Sequence, residues 1–118
     1  MFLLPDFDIF LRQYEIQQTT TIKETYEHKV QRLIGEKFGD DAPHVKQLVQ
    51  NESGGRWWAI NASSGSCGLF QFYPCSKLLC SLEASDIACQ IEQGAKYIYN
   101  RYGDGRQALA FWLSNHWY

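Results

Sequence analysis

The chain has 118 residues, 45% hydrophobic and 20% charged, the size and balance of one globular domain with a buried core. A formal charge of −2, with no Lys/Arg cluster, excludes a surface built to track nucleic-acid phosphates. No apolar run is long enough to cross a bilayer. Residues 1–4 are apolar but are followed at once by Pro5, Asp6 and Asp8, so no secretory leader is visible.

Pro5 suits a first helical turn, and Phe7, Phe10, Leu11 and Tyr14 follow at helical spacing until Thr19, Thr20 and Thr21 break the pattern. Thr21 with Glu24 reads as a capping box for a second helix. Its stripe of Ile22, Tyr26, Val30, Leu33, Ile34 and Phe38 ends at Gly39. Residues 1–39 are therefore read as an N-terminal helical segment or linker ahead of a domain at 40–118. A third helix is predicted from Pro43, with Val45, Leu48, Val49 and Glu52 on one face and Ser53-Gly54-Gly55 ending it. Residues 56–73 read as turns and short extended pieces, with a strong turn cluster at 61–65. Pro74 is predicted to open a short helix carrying Cys75 and Cys80. Ser85 or Asp86 caps a long helix that buries Ile87, Ile91, Ala95, Ile98 and Tyr102 and closes at Gly103. Asp104-Gly105 reads as a turn, and residues 106–115 as the last helix. The expected fold is mainly α, in the sense of a helical α+β domain with a short irregular or β segment beside Glu52.

Four cysteines, Cys67, Cys75, Cys80 and Cys89, crowd into one segment. Buried free thiols are one reading, and a zinc site another, but the spacing holds no close CxxC pair. The even, clustered count favours two disulfides and an oxidising compartment, with the pairing open. His28, His44 and His116 are scattered and form no metal or triad pattern, so neither metal nor cofactor is expected.

Glu52 is the residue that points to chemistry. It closes an apolar stripe, which puts its carboxyl at the edge of the core, where burial disfavours the charged form and raises the pKa. A glutamic acid held protonated near neutral pH is a general acid. The bland alternative is a helix-terminal Glu that bends out to water. The aromatics fit a sugar polymer: Trp57, Trp58, Tyr73, Trp112, Trp117 and Tyr118 offer flat faces for pyranose rings and polar tips for hydroxyls. Each is equally consistent with a core or anchoring role.

Three blocks in order, Asn51-Glu52-Ser53-Gly54-Gly55, then Asn61-Ala62-Ser63-Ser64-Gly65, then Gly68-Leu69-Phe70-Gln71, resemble the catalytic core of the soluble lytic transglycosylase family of the lysozyme-like superfamily. Further on, Gln107-Ala108-Leu109-Ala110-Phe111-Trp112 is similar to that family's last helix. The closing aromatics look more like a disulfide-containing, actinobacterial-type branch. The resemblance spans about residues 40–118. It implies that Glu52 is the acid and base, that Ser53 supports it by hydrogen bonding, and that Gln71 lines the substrate groove. Two departures stand out. Phe70 replaces the usual Met, and Phe111-Trp112 replaces a Tyr-Asn pair, so a phenol expected near the Glu is missing there. Tyr97, Tyr99 and Tyr118 are the candidates to replace it.

The resemblance implies a secreted or cell-envelope enzyme, acting as a monomer on peptidoglycan glycan strands. Hydrolytic glycosidases use two carboxylates, and the irregular segment supplies none beside Glu52. The favoured reaction is therefore non-hydrolytic cleavage by one carboxyl, leaving anhydro-muramoyl ends. The alternatives are a muramidase drawing its second acid from Asp40, Asp41, Asp86 or Asp104, and a non-catalytic wall-binding module on the same scaffold.

Overall fold

The computed structural model describes residues 24–118, so the expected first helix and the capping role of Thr21 lie outside the described residues. Four α-helices follow in order: α1 (Tyr26–Phe38), α2 (Ala42–Ser53), α3 (Ile87–Tyr102) and α4 (Gly105–Asn115). Thr25 is the N-cap of α1, and its hydroxyl accepts the His28 N–H at 3.1 Å. None of the helices is long and apolar enough to cross a membrane.

The stripes read from the sequence become one core. Val30, Ile34 and Phe38 of α1 meet Val45, Leu48 and Val49 of α2, Ile87, Ile91, Ala95 and Ile98 of α3, and Ala108 of α4 in a single buried cluster. Burying each of the larger aliphatic side chains contributes about 1.5–3 kcal/mol. Residues 26–38 thus share the core of the rest, and no break in packing falls at 39–40.

Helix α4 begins at Gly105, one residue earlier than expected, because Asp104 acts as an N-cap and accepts the Gln107 N–H at 2.8 Å. Asp41 reaches the same helix end from the turn before α2 and accepts the Gly105 and Arg106 N–H groups at 2.5 and 3.1 Å. Two carboxylates therefore face the positive end of α4. The approach is close: a Cβ on Gly105 would lie 2.5 Å from Val45 Cγ2. That contact fixes α4 against α2, and with it Trp112 relative to Glu52.

Residues 54–86 are irregular. Isolated antiparallel bridges join Ile60 to Cys67 and Cys67 to Phe72, and among the described residues no strand grows from them. The turn at 61–65 is closed by the Asn61 side chain, whose oxygen accepts the Ser63 and Ser64 N–H groups at 2.8 and 3.0 Å. The disulfides pair Cys67 with Cys75 and Cys80 with Cys89, leaving no free cysteine. The helix expected after Pro74 shrinks to a 3-10 turn at Cys75–Lys77 that does not reach Cys80, because Leu78 leaves it in an extended conformation and drops into the core.

Two glutamines of α3 hold this segment down. Gln90, 1% exposed, accepts the Leu69 N–H at 2.9 Å and donates to the Trp57 and Ser81 carbonyls at 3.1 and 2.9 Å. Gln93 accepts the Leu79 N–H at 2.8 Å and donates to the Lys77 carbonyl at 2.7 Å. Asp86 holds the N-cap position of α3, as expected, but its side chain accepts the Ser81 N–H at 2.6 Å and makes no bond to the helix end.

Candidate active site

A cavity of about 900 Å³ opens between the end of α2, the irregular segment, one face of α3 and the end of α4. Glu52 lies half-buried in the last turn of α2, directly after the buried Val45–Leu48–Val49 stripe, and lines this cavity. Burial pushes its carboxyl above the ordinary 4.5, against a smaller opposing pull from the Trp112 indole N–H, which bonds the charged form. Its place at the negative end of α2 disfavours the charge further. Among the described residues Glu52 is the only acidic side chain that lines the cavity.

Gln71 stands across from it with φ +54°, a left-handed conformation uncommon for a residue with a side chain. Its amide nitrogen donates to the Gly68 and Ala59 carbonyls at 2.9 and 3.3 Å. Both partners are acceptors, so the amide orientation is fixed and Oε1 is left to accept from a ligand. Tyr73, 66% exposed, stands at the rim, and Trp112 and Trp117 line the α4 side.

Tyr118 supplies a phenol in the region where the sequence lacks one. Its hydroxyl donates to the Phe70 carbonyl at 2.7 Å. Removal from water, then the nearby Glu52 carboxylate, raise its pKa well above 10, so the group stays neutral. Tyr97 packs edge-on against it at 5.4 Å and also lines the cavity. Tyr99 points elsewhere, against Phe38, with ring centroids 5.6 Å apart. Phe70, in the place usually held by Met, lays its ring on Gly94 of α3, where a Cβ would come within 2.4 Å of it.

Three sequence-expected residues do not reach the cavity. Ser53 is 2% exposed, and its hydroxyl donates to the Val49 carbonyl at 3.1 Å, so the expected bond to Glu52 is not made. A serine at a helix end has its own i−4 carbonyl within reach. Trp57 and Trp58 leave in another direction because Gly54 and Gly55, with φ +65° and +76°, reverse the chain after α2. Trp57 packs edge-on against Tyr26 at 5.4 Å and against Trp58 at 4.5 Å, and Trp58 is 47% exposed outside the cavity.

The carboxylates weighed as a second acid are also elsewhere. Asp41 and Asp104 cap α4, Asp86 holds Ser81, and Asp40 is exposed; none lines the cavity. Apart from Tyr97, sequence reasoning missed the α3 wall, where Gln93, Lys96, Asn100 and Arg101 join it on one face at helical spacing. Such a stripe reads in sequence as an ordinary solvated face. Among the described residues no three His, Cys, Asp or Glu side chains come together as a metal requires. No family model, curated protein or solved structure matches the chain.

Proposed function

We propose that this protein cleaves the glycan strands of bacterial peptidoglycan as a lytic transglycosylase, with Glu52 as acid and then base. The observation that carries the reading is a half-buried carboxyl of raised pKa, the one acidic side chain among the described residues of a cavity lined mainly by amides, hydroxyls, aromatics and cations. In the first step the Glu52 carboxyl protonates the glycosidic oxygen, and the bond from muramoyl C1 to that oxygen breaks. The muramoyl C6 hydroxyl then attacks C1, and the Glu52 carboxylate takes its proton, regenerating the acid. No water is consumed, so no second carboxylate is required. Gln71 Oε1 accepts an N–H or O–H of a bound sugar, and Tyr73, Trp112 and Trp117 face its rings.

The same reading takes the fold as a lysozyme-like domain and the protein as exported to the cell envelope. The two disulfides fit an oxidising compartment. Purified peptidoglycan digested with the protein should yield muropeptides one water lighter than hydrolytic products, with no reducible muramic end, by mass analysis. Reducible ends throughout would replace this reading with a muramidase. Bound but uncut strands would make the protein a wall-binding module.

A further inference from the structure

The chain is acidic overall, yet its cavity is not. Among the described residues Lys77, Lys96 and Arg101 line it against one acidic side chain, Glu52, in a protein of formal charge −2. This charge is concentrated on one side. Lys96 and Arg101 lie on the same face of α3, and Lys77 is tied to that face because Gln93 bonds both its carbonyl and the Leu79 N–H. The Cys80–Cys89 disulfide clamps the end of this strap to the start of α3. The backbone that carries Lys77 is thus held against α3 by a disulfide and an amide.

Among the described residues none of the three cations forms an ion pair. The ion pairs among the described residues use Arg32, Lys37 and His44. Glu92, one turn from Lys96 on α3, pairs with Lys37 at 2.7 Å instead. Arg101 stands over the rings of Tyr97, Tyr102 and Trp117, with its carbon 5.6–5.8 Å from their centroids. Those rings hold the guanidinium in position but bring no negative charge to neutralise it. Among the described residues no ion pair joins any of the three cations to Glu52.

We propose that Lys77, Lys96 and Arg101 form an anion subsite that binds the carboxylates on the lactyl-peptide substituents of the glycan. This rests on the proposed function for the identity of the glycan, and it adds that recognition is of the charged substituent as well as of the sugar. Neutral chito-oligosaccharides would fill the sugar sites and leave the row empty. Charge attraction also steers acidic strands into the cavity, a contribution that salt screens.

The test is binding to the full chain carrying Glu52→Gln, followed by tryptophan fluorescence, since Trp112 and Trp117 line the cavity. Three soluble glycan fragments of equal length serve as probes: stem-bearing, amidase-stripped with only the lactyl carboxylate, and stem-bearing with all carboxylates amidated. The stem-bearing fragment should bind at least about fivefold more tightly than the amidated one, as expected for a few exposed ion pairs. The stripped fragment tells which carboxylate matters. In the stem-bearing fragment the lactyl carboxyl is bound as an amide and the charge lies on the peptide. A stripped fragment that binds as tightly as the intact one therefore shows that the row accepts a carboxylate at either place, and binding as weak as the amidated one shows that it needs the peptide carboxylates. Adding Lys77→Gln and Lys96→Gln should abolish the preference, whereas Lys37→Gln should keep it. Equal affinity for charged and amidated fragments, or a preference that survives the double lysine replacement, would overturn the subsite. A charge preference in a protein whose wild type cuts no strand would retire the cleavage reading and leave the anion site standing. Failure to bind any fragment would defeat both.

Discussion

The helical frame and the irregular segment at 54–86 are held by different means. The four helices meet through apolar stripes, and the residues at their contacts are almost wholly buried. The irregular segment buries fewer large side chains and is instead fastened by two disulfides and by the side-chain amides of Gln90 and Gln93. The candidate site lies on the seam between them: α2 brings Glu52, α3 and α4 bring Lys96, Arg101 and Trp112, and the irregular segment brings Gln71, Tyr73 and Lys77. Burial is non-directional, so the frame tolerates small shifts. Hydrogen bonds are directional, so the segment holds its geometry only while its few fastenings last. Activity should therefore be more fragile than helical structure when the segment is altered.

The largest effect is expected at the seam itself. Glu52→Gln should lower strand cleavage by about 10²–10⁴-fold, the range of a lost general acid. Stability should move the other way. Burial raises the Glu52 pKa in the folded state, so its contribution to stability is present below the ordinary 4.5 and is lost as pH rises through the raised folded value. The glutamine variant should thus unfold at an equal or higher temperature at neutral pH, with a flatter dependence on pH above 4.5. Cleavage at the wild-type rate would end the assignment of Glu52. A marked loss of stability would mean that the carboxyl also holds the frame together.

Gln90→Leu separates the two regions most directly. It keeps an apolar stem at a site that is 1% exposed but strands the Leu69 N–H and the Trp57 and Ser81 carbonyls. The cost should be about 3 kcal/mol, from buried groups left unsatisfied. Amide exchange should quicken sharply at Leu69 while interior amides of α1 and α2 stay protected. Uniform loss of protection across the helices would show that frame and segment unfold as one unit.

The smallest effect tests the polar tip of α4. Trp112→Phe removes the indole N–H that bonds charged Glu52, so the carboxyl pKa should rise further above 4.5. The rate falls when the acid loses its proton, so the alkaline limb of the cleavage profile should move to higher pH. A limb that stays in place would show that the indole does not touch the charge.

The helices were legible because burial writes a period into the sequence. Val45, Leu48 and Val49, and likewise Ile87, Ile91, Ala95 and Ile98, are apolar at helical spacing, and they are the residues that fill the core. Glu52 was legible as the polar exception that ends such a stripe, and the clustering of the cysteines pointed to crosslinks though not to their partners. Directions after a turn were not legible. Whether Trp57 and Trp58 enter the cavity depends on two left-handed glycines, and Ser53 turned out to satisfy its own helix.

The sequence by itself determined the four long helices of the described residues, that one carboxyl sits at a core edge, and that the cysteines are concentrated in one stretch, since each of these is a local pattern. Only the tertiary structure decided that Tyr118 reaches Phe70, 48 positions away, that Asp41 caps a helix 64 positions on, and that Lys77 joins Lys96 and Arg101 on one wall. Those contacts depend on how the helices cross and where the chain reverses, and no run of neighbouring residues carries that information.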